Sequence, residues 1–253
     1  MKVSIITACY NRERTISSAI ESVLSQTYDD LEYIIVDGQS KDKSFDVINQ
    51  YKENIDVIIC EKDTGMYNAI NKGIIKATGD IVGLLHSDDF FYDNTTIQKI
   101  VTIFDTTDAD IVYANGLYVD EDDTAKIKRV YRAKVFKSRY LYFGWIPLHT
   151  TIFVKREIFE KFGLYKEDFK IASDYEISLR WFKNNQLKKI FMNDWVVKMR
   201  LGGKSTDLTQ QKLKSEEDLK IIKQYKLFGK LTLLFKIVRK VPQYIFPMLI
   251  KYK

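Results

Sequence analysis

Three prolines, two cysteines and two histidines are all that the 253 residues hold of these types, and each shortage excludes something. Two cysteines cannot build a disulfide scaffold, and Cys9 and Cys60 lack the spacing of a metal site. So few prolines beside only 11 glycines exclude collagen and Pro/Gly-rich disorder. No uninterrupted apolar run approaches the ~20 residues of a membrane-spanning helix. The N-terminus passes from Met1, Lys2 and Val3 straight into a β-rich run without a signal-peptide core, so cytoplasmic residence and reduced thiols are expected. What is present, 45% hydrophobic and 29% charged residues, describes a folded chain. At this length such a chain buries roughly 70–75% of its unfolded surface as one large domain or two small ones, without staples.

One further shortage is local. Residues 219–253 contain nine Lys or Arg and no Asp or Glu, whereas residues 1–218 hold the other 31 basic residues and all 34 acidic ones. The net charge of +6 is therefore −3 on the body and +9 on the tail. The whole-chain value suggests nucleic acid, but its distribution predicts no such partner. A mildly acidic body followed by a basic, apolar end points instead to an anionic membrane surface met by that end.

Along residues 1–85, short β-rich apolar runs at 3–7, 33–36, 57–60 and 81–85 alternate with helical patterns at 15–25, 43–51 and 67–77. This βαβ rhythm predicts a mostly parallel sheet with helices on both faces. Beyond residue 85 the pattern is mixed. Helices are expected at 95–104, 157–162 and 174–184 and strands at 111–113, 126–132 and 151–154, building onto the same sheet.

In open parallel sheets ligands bind beyond the carboxyl ends of the strands, here residues 8–11, 37–42, 61–65 and 86–89. The first βα turn, Ala8-Cys9-Tyr10-Asn11-Arg12, has no glycine, which excludes a dinucleotide fingerprint. Gly203-Lys204-Ser205 is not a P-loop either, since Lys198 stands where its first glycine belongs. Acidic strand ends without a phosphate-cradling loop need a cation to hold an anionic ligand, and Asp88-Asp89 offers the hard oxygens that suit Mg²⁺ or Mn²⁺. Helix capping or an Asx turn is the bland reading of the same pair.

The run from Val3 to Asn11, then Ile35-Val36-Asp37-Gly38-Gln39-Ser40-Lys41-Asp42, resembles the opening of family 2 glycosyltransferases with the GT-A fold. Asp63-Thr64-Gly65-Met66-Tyr67-Asn68-Ala69-Ile70-Asn71-Lys72-Gly73, then Ala77-Thr78-Gly79-Asp80 and Ser87-Asp88-Asp89, resembles the branch that builds bacterial capsular and exopolysaccharides. The likeness covers about residues 1–205. It implies an α/β, GT-A-like open sheet flanked by helices, with a nucleotide-sugar half at about 1–115, an acceptor half at about 116–206 and a helical tail at 207–253.

Carried over, the resemblance implies that Ala8, Tyr10 and Asn11 line the nucleotide pocket with Asp37 at the base, Asp88 near the ribose and Asp89 on the metal. Ser87 stands where the family has a first Asp. Asn71 and Lys72 lie on one helix face with Asn68, Lys72 reading either as a diphosphate contact or as a solvated lysine. Asp174 matches the catalytic carboxylate, although the Glu that usually precedes it is absent; Glu176 is the second choice, and a helix N-cap is the bland alternative. Trp145 and His149 fall over the donor-sugar or acceptor pocket, with core packing as their ordinary roles, and His86 is expected to face the sheet. Arg200 and Lys204 fall on a loop over the diphosphate.

In the tail, residues 207–228 read as a helix. Residues 230–241 place Leu231, Leu234, Phe235, Val238 and Val241 on one side and Thr232, Lys236 and Arg239 on the other, the pattern of a basic helix in a lipid interface. Packing on the body or on a second subunit is the alternative, which leaves a homodimer open. The expected activity is an inverting, metal-dependent transfer from a nucleotide-diphosphate sugar, a UDP-sugar first, to a hydroxyl of a lipid-linked glycan at the inner face of the cell membrane. A non-catalytic sugar-nucleotide or glycan-binding module and a nucleotidyltransferase are the competing classes; the latter normally has a glycine-rich basic loop that this chain lacks.

Overall fold

The run VSIITAC forms the first strand, β1 (Val3–Cys9), whose alternate side chains part to opposite faces: Val3, Ile5 and Cys9 enter one hydrophobic cluster and Ile6 the other. β2 (Leu31–Asp37) divides in the same way, Tyr33 and Ile35 against Ile34 and Val36. Both strands are apolar on both faces because helices cover both. α1 (Ile16–Leu24) buries Ile16, Ala19, Ile20 and Val23 at helical spacing, and α2 (Ser44–Gln50) adds Ile48 to the same layer. After β3 (Val57–Cys60), α3 (Met66–Lys76) covers the opposite face with Tyr67, Ala69, Ile70 and Ile74 and leads into β4 (Ile81–Leu84). The first-half elements thus stand where the apolar rhythm predicts them.

The computed structural model describes residues 1–201 and 208–249. Past β4 the order is β5 (Asp89–Phe91), α4 (Thr96–Thr106), β6 (Ile111–Asp120), β7 (Ile127–Tyr131), a short α5 (Arg139–Tyr142), β8 (Ile152–Lys155), α6 (Arg156–Phe162), α7 (Ser173–Lys183), β9 (Lys189–Leu201), α8 (Leu208–Gln224), α9 (Lys230–Val238) and α10 (Val241–Leu249). The strands form one sheet in the order β3-β2-β1-β4-β8-β6-β9-β5, with β7 on β6. From β3 to β4 it is parallel; β8 runs antiparallel to both β4 and β6, and β9 returns parallel to β6. The sheet is therefore mixed, wholly parallel from β3 to β4 and of both kinds beyond.

Neither β5 nor β9 is expected from the sequence. β5 is three residues long, and β9 carries Lys189, Asn193, Asp194, Lys198 and Arg200 among its apolar positions, so no clean alternation marks it. These two strands pair with each other, Asp89 opposite Met199, and that pairing builds one wall of the site. Because β2 lies on one side of β1 and β4 on the other, strand order reverses at β1. A crevice opens there, beyond the carboxyl ends of β1 and β4.

At the amino ends of the same strands sits a polar clasp. Glu32, 4% exposed, accepts hydrogen bonds from Ser4 Oγ (2.5 Å), Thr78 Oγ1 (2.5 Å), Thr78 N (2.8 Å) and Lys2 Nζ (3.1 Å). Gly79 N–H donates to Ser4 Oγ, and Lys2 N–H to the Asp80 carboxylate. The Thr78-Gly79-Asp80 motif thus ties β4 to β1 and β2 at the end away from the crevice. Burial alone would raise the Glu32 carboxyl, but the hydrogen bonds from Ser4, Thr78 and Lys2 outweigh it and hold the group at about 2, against an ordinary 4.5.

A depressed carboxyl contributes stability that is complete above the unfolded value and lost as pH falls toward the folded one. Glu32→Gln should therefore cost about 3 kcal/mol at pH 7. The difference from wild type should shrink steadily between pH 4.5 and pH 2. Urea unfolding at pH 7 and pH 3 measures both; an equal loss at the two pH values would refute the assignment.

Candidate functional site

The β1 and β2 loops meet through their own polar atoms. Asn11, in the left-handed region at φ 52°, donates its N–H to Ser40 Oγ (2.9 Å), and its Oδ1 accepts Lys41 N–H (2.8 Å). Asn tolerates that backbone better than most side chains because its amide bonds locally. Asp37 is fully buried and accepts from Ser40 N and Oγ, so it shapes the loop from beneath. A Cβ on Gly38 would stand 2.3 Å from Asp63 Oδ2, which explains why a glycine follows Asp37 where this third loop closes in. Ala8 lies at the strand end in contact with the larger core, and Tyr10 is exposed at the mouth.

The wall formed by β5 and β9 holds the acidic pair. Asp89 is 2% exposed; its Oδ1 accepts Arg200 N–H at 3.3 Å, and its Oδ2 is buried with no hydrogen-bond partner. Asp88 points outward, its carboxylate 3.6 Å from the Arg12 guanidinium, while its carbonyl accepts Arg200 Nη1 at 2.8 Å. Burial first, then the adjacent Asp88 charge, push the Asp89 carboxyl well above its usual range, with Arg200 and Arg12 pulling weakly the other way. Arg200 stands beside the acidic pair, bonded to both of its members; Lys204 lies outside the described residues. Arg12 joins the site although the sequence reading did not select it. The available signal was its place directly after Asn11 in the first βα turn.

Would a divalent cation fit? Among the described residues no group of three His, Cys, Asp or Glu could hold one. A cation bound mainly by ligand phosphates needs only one or two carboxylates from the protein, however, as Mg²⁺ commonly shows. The unpartnered Asp89 Oδ2 supplies one such oxygen, and a bound cation would reverse the conditions that now favour its proton.

Across the crevice, the N-terminus of α7 presents Asp174. Its Oδ2 lies 3.4 Å from His149 Nδ1, and its Oδ1 accepts a 3.3 Å bond from Tyr67 OH, which also donates to Ile171 O at 2.7 Å. His149 Nε2 is 2.7 Å from His86 Nε2. Burial lowers both imidazoles, His149 to about 4, so both are neutral at pH 7. The tautomers then follow from the network: His149 Nδ1–H faces Asp174, and His86 Nε2–H donates to His149. Burial by itself would raise the Asp174 carboxyl, but the His149 imidazole beside it and the Lys214 and Lys236 ammonium charges outweigh that and lower it, so Asp174 is ionised. His86 does not face the sheet as expected; it bridges toward Asp174, two residues before Asp88.

The remaining predicted residues fall elsewhere. Glu176 has no exposed side-chain surface, is ion-paired to Arg180 and to Lys166 (3.0 Å), and accepts from Tyr225 OH (2.8 Å). With its oxygens so committed it is a structural charge, which removes it as the alternative base. Trp145 is 2% exposed among Tyr113, Phe136, Tyr140 and Phe182, too deep to stack on a sugar. Asn71 is buried, donating to Tyr165 O and Glu167 and accepting Tyr165 N–H, so it braces the 165–167 loop. Lys72 pairs with Glu61 and Lys62 O at the crevice lip. One support had no sequence signal at all: Glu217 of α8 accepts the N–H groups of Lys170, Ile171 and Ala172, capping the loop that delivers Asp174.

This arrangement has counterparts. The sequence profile described as Glycosyl transferase family 2 matches residues 4–183. The chain belongs to glycosyl transferase family 2. Like its relatives it is a glycosyltransferase by family, and the sheet is that of the GT-A glycosyltransferases. An uncharacterized glycosyltransferase of Nostoc sp. is 40% identical over 134 residues, 49% of this chain and 41% of that protein. A PGL/p-HBAD biosynthesis glycosyltransferase of Mycobacterium tuberculosis is 28% identical over 194 residues, covering 75% of this chain and 73% of its own. Among solved structures, S. aureus TarS 1-349 in complex with UDP-GlcNAc superposes with a TM-score of 0.70 at 17% identity over 93% of this chain and 69% of that one. The mannosyltransferase PcManGT of Pyrobaculum calidifontis, in complex with GDP-Man and Mn2+, gives 0.66 at 16% identity over 98% and 74%. At such identities the two structures speak for the fold.

Removing one partner of a buried ion pair commonly costs about 3–5 kcal/mol. Glu176→Gln should therefore lose stability on that scale in urea unfolding while the folded protein still binds nucleotide sugar. A variant of wild-type stability that has lost only turnover would return Glu176 to the chemistry.

Proposed function

We propose that the protein transfers a sugar, with inversion, from a nucleotide-diphosphate donor to a hydroxyl of a lipid-linked glycan in cell-surface polysaccharide synthesis. The observation that carries this reading is the line Asp174–His149–His86, which links an ionised carboxylate on one wall of the crevice to the Asp88-Asp89 loop on the other. A donor diphosphate against Asp89, Arg12 and Arg200 would present its sugar toward the two histidines. An acceptor hydroxyl entering beside α7 would meet Asp174.

In that geometry the acceptor oxygen forms a bond to the anomeric carbon as the bond from that carbon to the diphosphate oxygen breaks, and the hydroxyl proton passes to Asp174. His149, neutral and hydrogen-bonded on both sides, holds the carboxylate oriented without taking its role. Arg12 and Arg200 offset charge on the departing diphosphate. Mn²⁺ or Mg²⁺, when bound, would supply further electrostatic stabilisation of that leaving group, and Asp89 is the residue to hold it. A UDP-sugar is the donor to test first, given the UDP-GlcNAc complex of TarS. The capsular or exopolysaccharide role rests on the sequence motifs, and association with the inner face of the cell membrane on the basic C-terminal segment.

Asp174→Asn should lower kcat by roughly 10²–10⁴-fold while leaving donor affinity unchanged. Full retention of transfer would overturn the base assignment, and a wild type that binds donor but never turns over would favour a binding module. In thermal-shift titrations of UDP-sugars, stabilisation should require Mn²⁺ or Mg²⁺ and disappear in Asp89→Asn. Equal shifts with and without metal would sink the cation role of Asp89.

A further inference from the structure

α9 is docked the opposite way round from an ordinary surface helix. Its polar side faces the protein: Thr232 is fully buried, donating to Tyr142 O and accepting Phe228 N–H, and Lys236 is ion-paired to Asp218 at 2.6 Å with its ammonium 3.3 Å from the Tyr175 ring centroid. Its apolar side faces outward. Leu231, Leu234, Ile237 and Val238 are each about half exposed, and Val241, Tyr244 and Ile245 of α10 continue the surface. The sequence separates these two sides without saying which meets the body; Thr232 and Lys236 take the inner side because they have specific partners there.

The packing is close enough to be built in. Gly144, at φ +67°, lies so near α9 that a Cβ there would stand 2.6 Å from Lys236 N and 2.7 Å from its Cα. Phe143, itself exposed, meets Phe235 and Phe228, and Arg129 of β7 bonds Gln243 and stacks over Tyr244 of α10.

Those contacts join two stretches of unusual charge. Residues 124–156 hold nine Lys or Arg and no Asp or Glu, as do residues 219–253. Both stretches carry exposed cations, Arg132, Lys137 and Arg139 in one and Lys223, Lys226 and Lys230 in the other, and the first also exposes Val135 and Phe143. A second copy of the chain fits this face poorly. An isologous contact would set cation against cation, with no carboxylate in either stretch to pair them. An anionic bilayer matches both features, apolar side chains entering the headgroup boundary and lysines and arginines meeting lipid phosphates.

We propose that the outward sides of α9 and α10, together with the 132–143 segment, form one composite surface that docks on an anionic lipid bilayer. This deepens the membrane reading of the tail by adding the acceptor half to the docking face. Lys236, on the inner side of α9, touches the residue next to Asp174, so a docked bilayer lies roughly one helix diameter, about 10 Å, from the Asp174 region. A lipid-linked acceptor would then need little reach, a consequence that rests on the transferase reading, whereas docking itself does not.

The test is co-flotation of the full chain with phosphatidylcholine vesicles with and without phosphatidylglycerol. Wild type is compared with Leu234→Asp/Val238→Asp and with Arg139→Glu/Lys137→Glu, and each variant is checked for an unchanged melting midpoint and UDP-sugar binding. Wild type should float with the anionic vesicles. Each double variant should lose at least tenfold in partitioning, the second pair showing that the body contributes as well as the tail. Wild type that stays unbound, variants that float equally, or a wild-type dimer that Leu234→Asp/Val238→Asp turns into a monomer would overturn the proposal, the last in favour of a second copy on this face.

Discussion

The crevice is organised around a carboxylate oxygen that the protein buries and leaves without a partner. Asp89 Oδ2 is held in that condition by the pairing of β5 with β9, which fixes Arg200 N–H on the other oxygen and leaves nothing for this one. Desolvating a charge without compensation is expensive, so an apo crevice of this kind favours the proton. A cation arriving with a phosphate-bearing ligand would remove that penalty, which is why the proposed donor site places one there. Arg12 and Arg200, grouped around the neighbouring Asp88, keep the approach positive without occupying the Asp89 oxygen.

The opposite wall solves a different electrostatic problem. Asp174 is ionised although largely enclosed, through His149 beside it and the Lys214 and Lys236 charges. Both lysines come from the C-terminal helices α8 and α9, and Glu217 of α8 caps the loop just before Asp174. The C-terminal segment therefore takes part in building the wall that carries Asp174. Ile221 and Ile222 of α8 are fully buried in the larger hydrophobic cluster, which fixes that support in place.

Much of this was legible beforehand because it rests on local pattern. The apolar alternation of β1 to β4 and the polar residues at their carboxyl ends pointed to the crevice, and Asp88, Asp89, Asp174, His149 and Arg200 all lie along it. What the sequence could not reveal depends on pairings between distant segments. β9 hides as a strand because its polar positions interrupt any simple period, yet it determines where Arg200 stands. His86 and His149 are separated by 63 residues, and only the sheet order β4-β8 brings them within hydrogen-bond distance. Asn71 was a candidate as an amide on an apolar, motif-bearing helix, and Glu176 as the carboxylate next in line to Asp174. Their hydrogen bonds are consumed by the fold instead, which residue type alone cannot disclose.

The tail shows the same limit in sharper form. A helical wheel separates Thr232, Lys236 and Arg239 from Leu231, Leu234 and Val238 correctly, but the wheel does not say which side faces the protein. The usual assumption turns the apolar side inward. Here the inner side is chosen by specific partners: a carbonyl for Thr232, a buried carboxylate and an aromatic face for Lys236, and a glycine that lets the helix backbone approach. An ion pair and a hydrogen bond in a largely dry contact can fix such an orientation because leaving Asp218 buried without Lys236 would cost about 3–5 kcal/mol, on the scale of half-exposing several leucines to water. The exposed apolar side is thus the consequence of satisfying a charge near Asp174, so the orientation of the proposed docking surface and the position of the wall that carries Asp174 are set by the same contact.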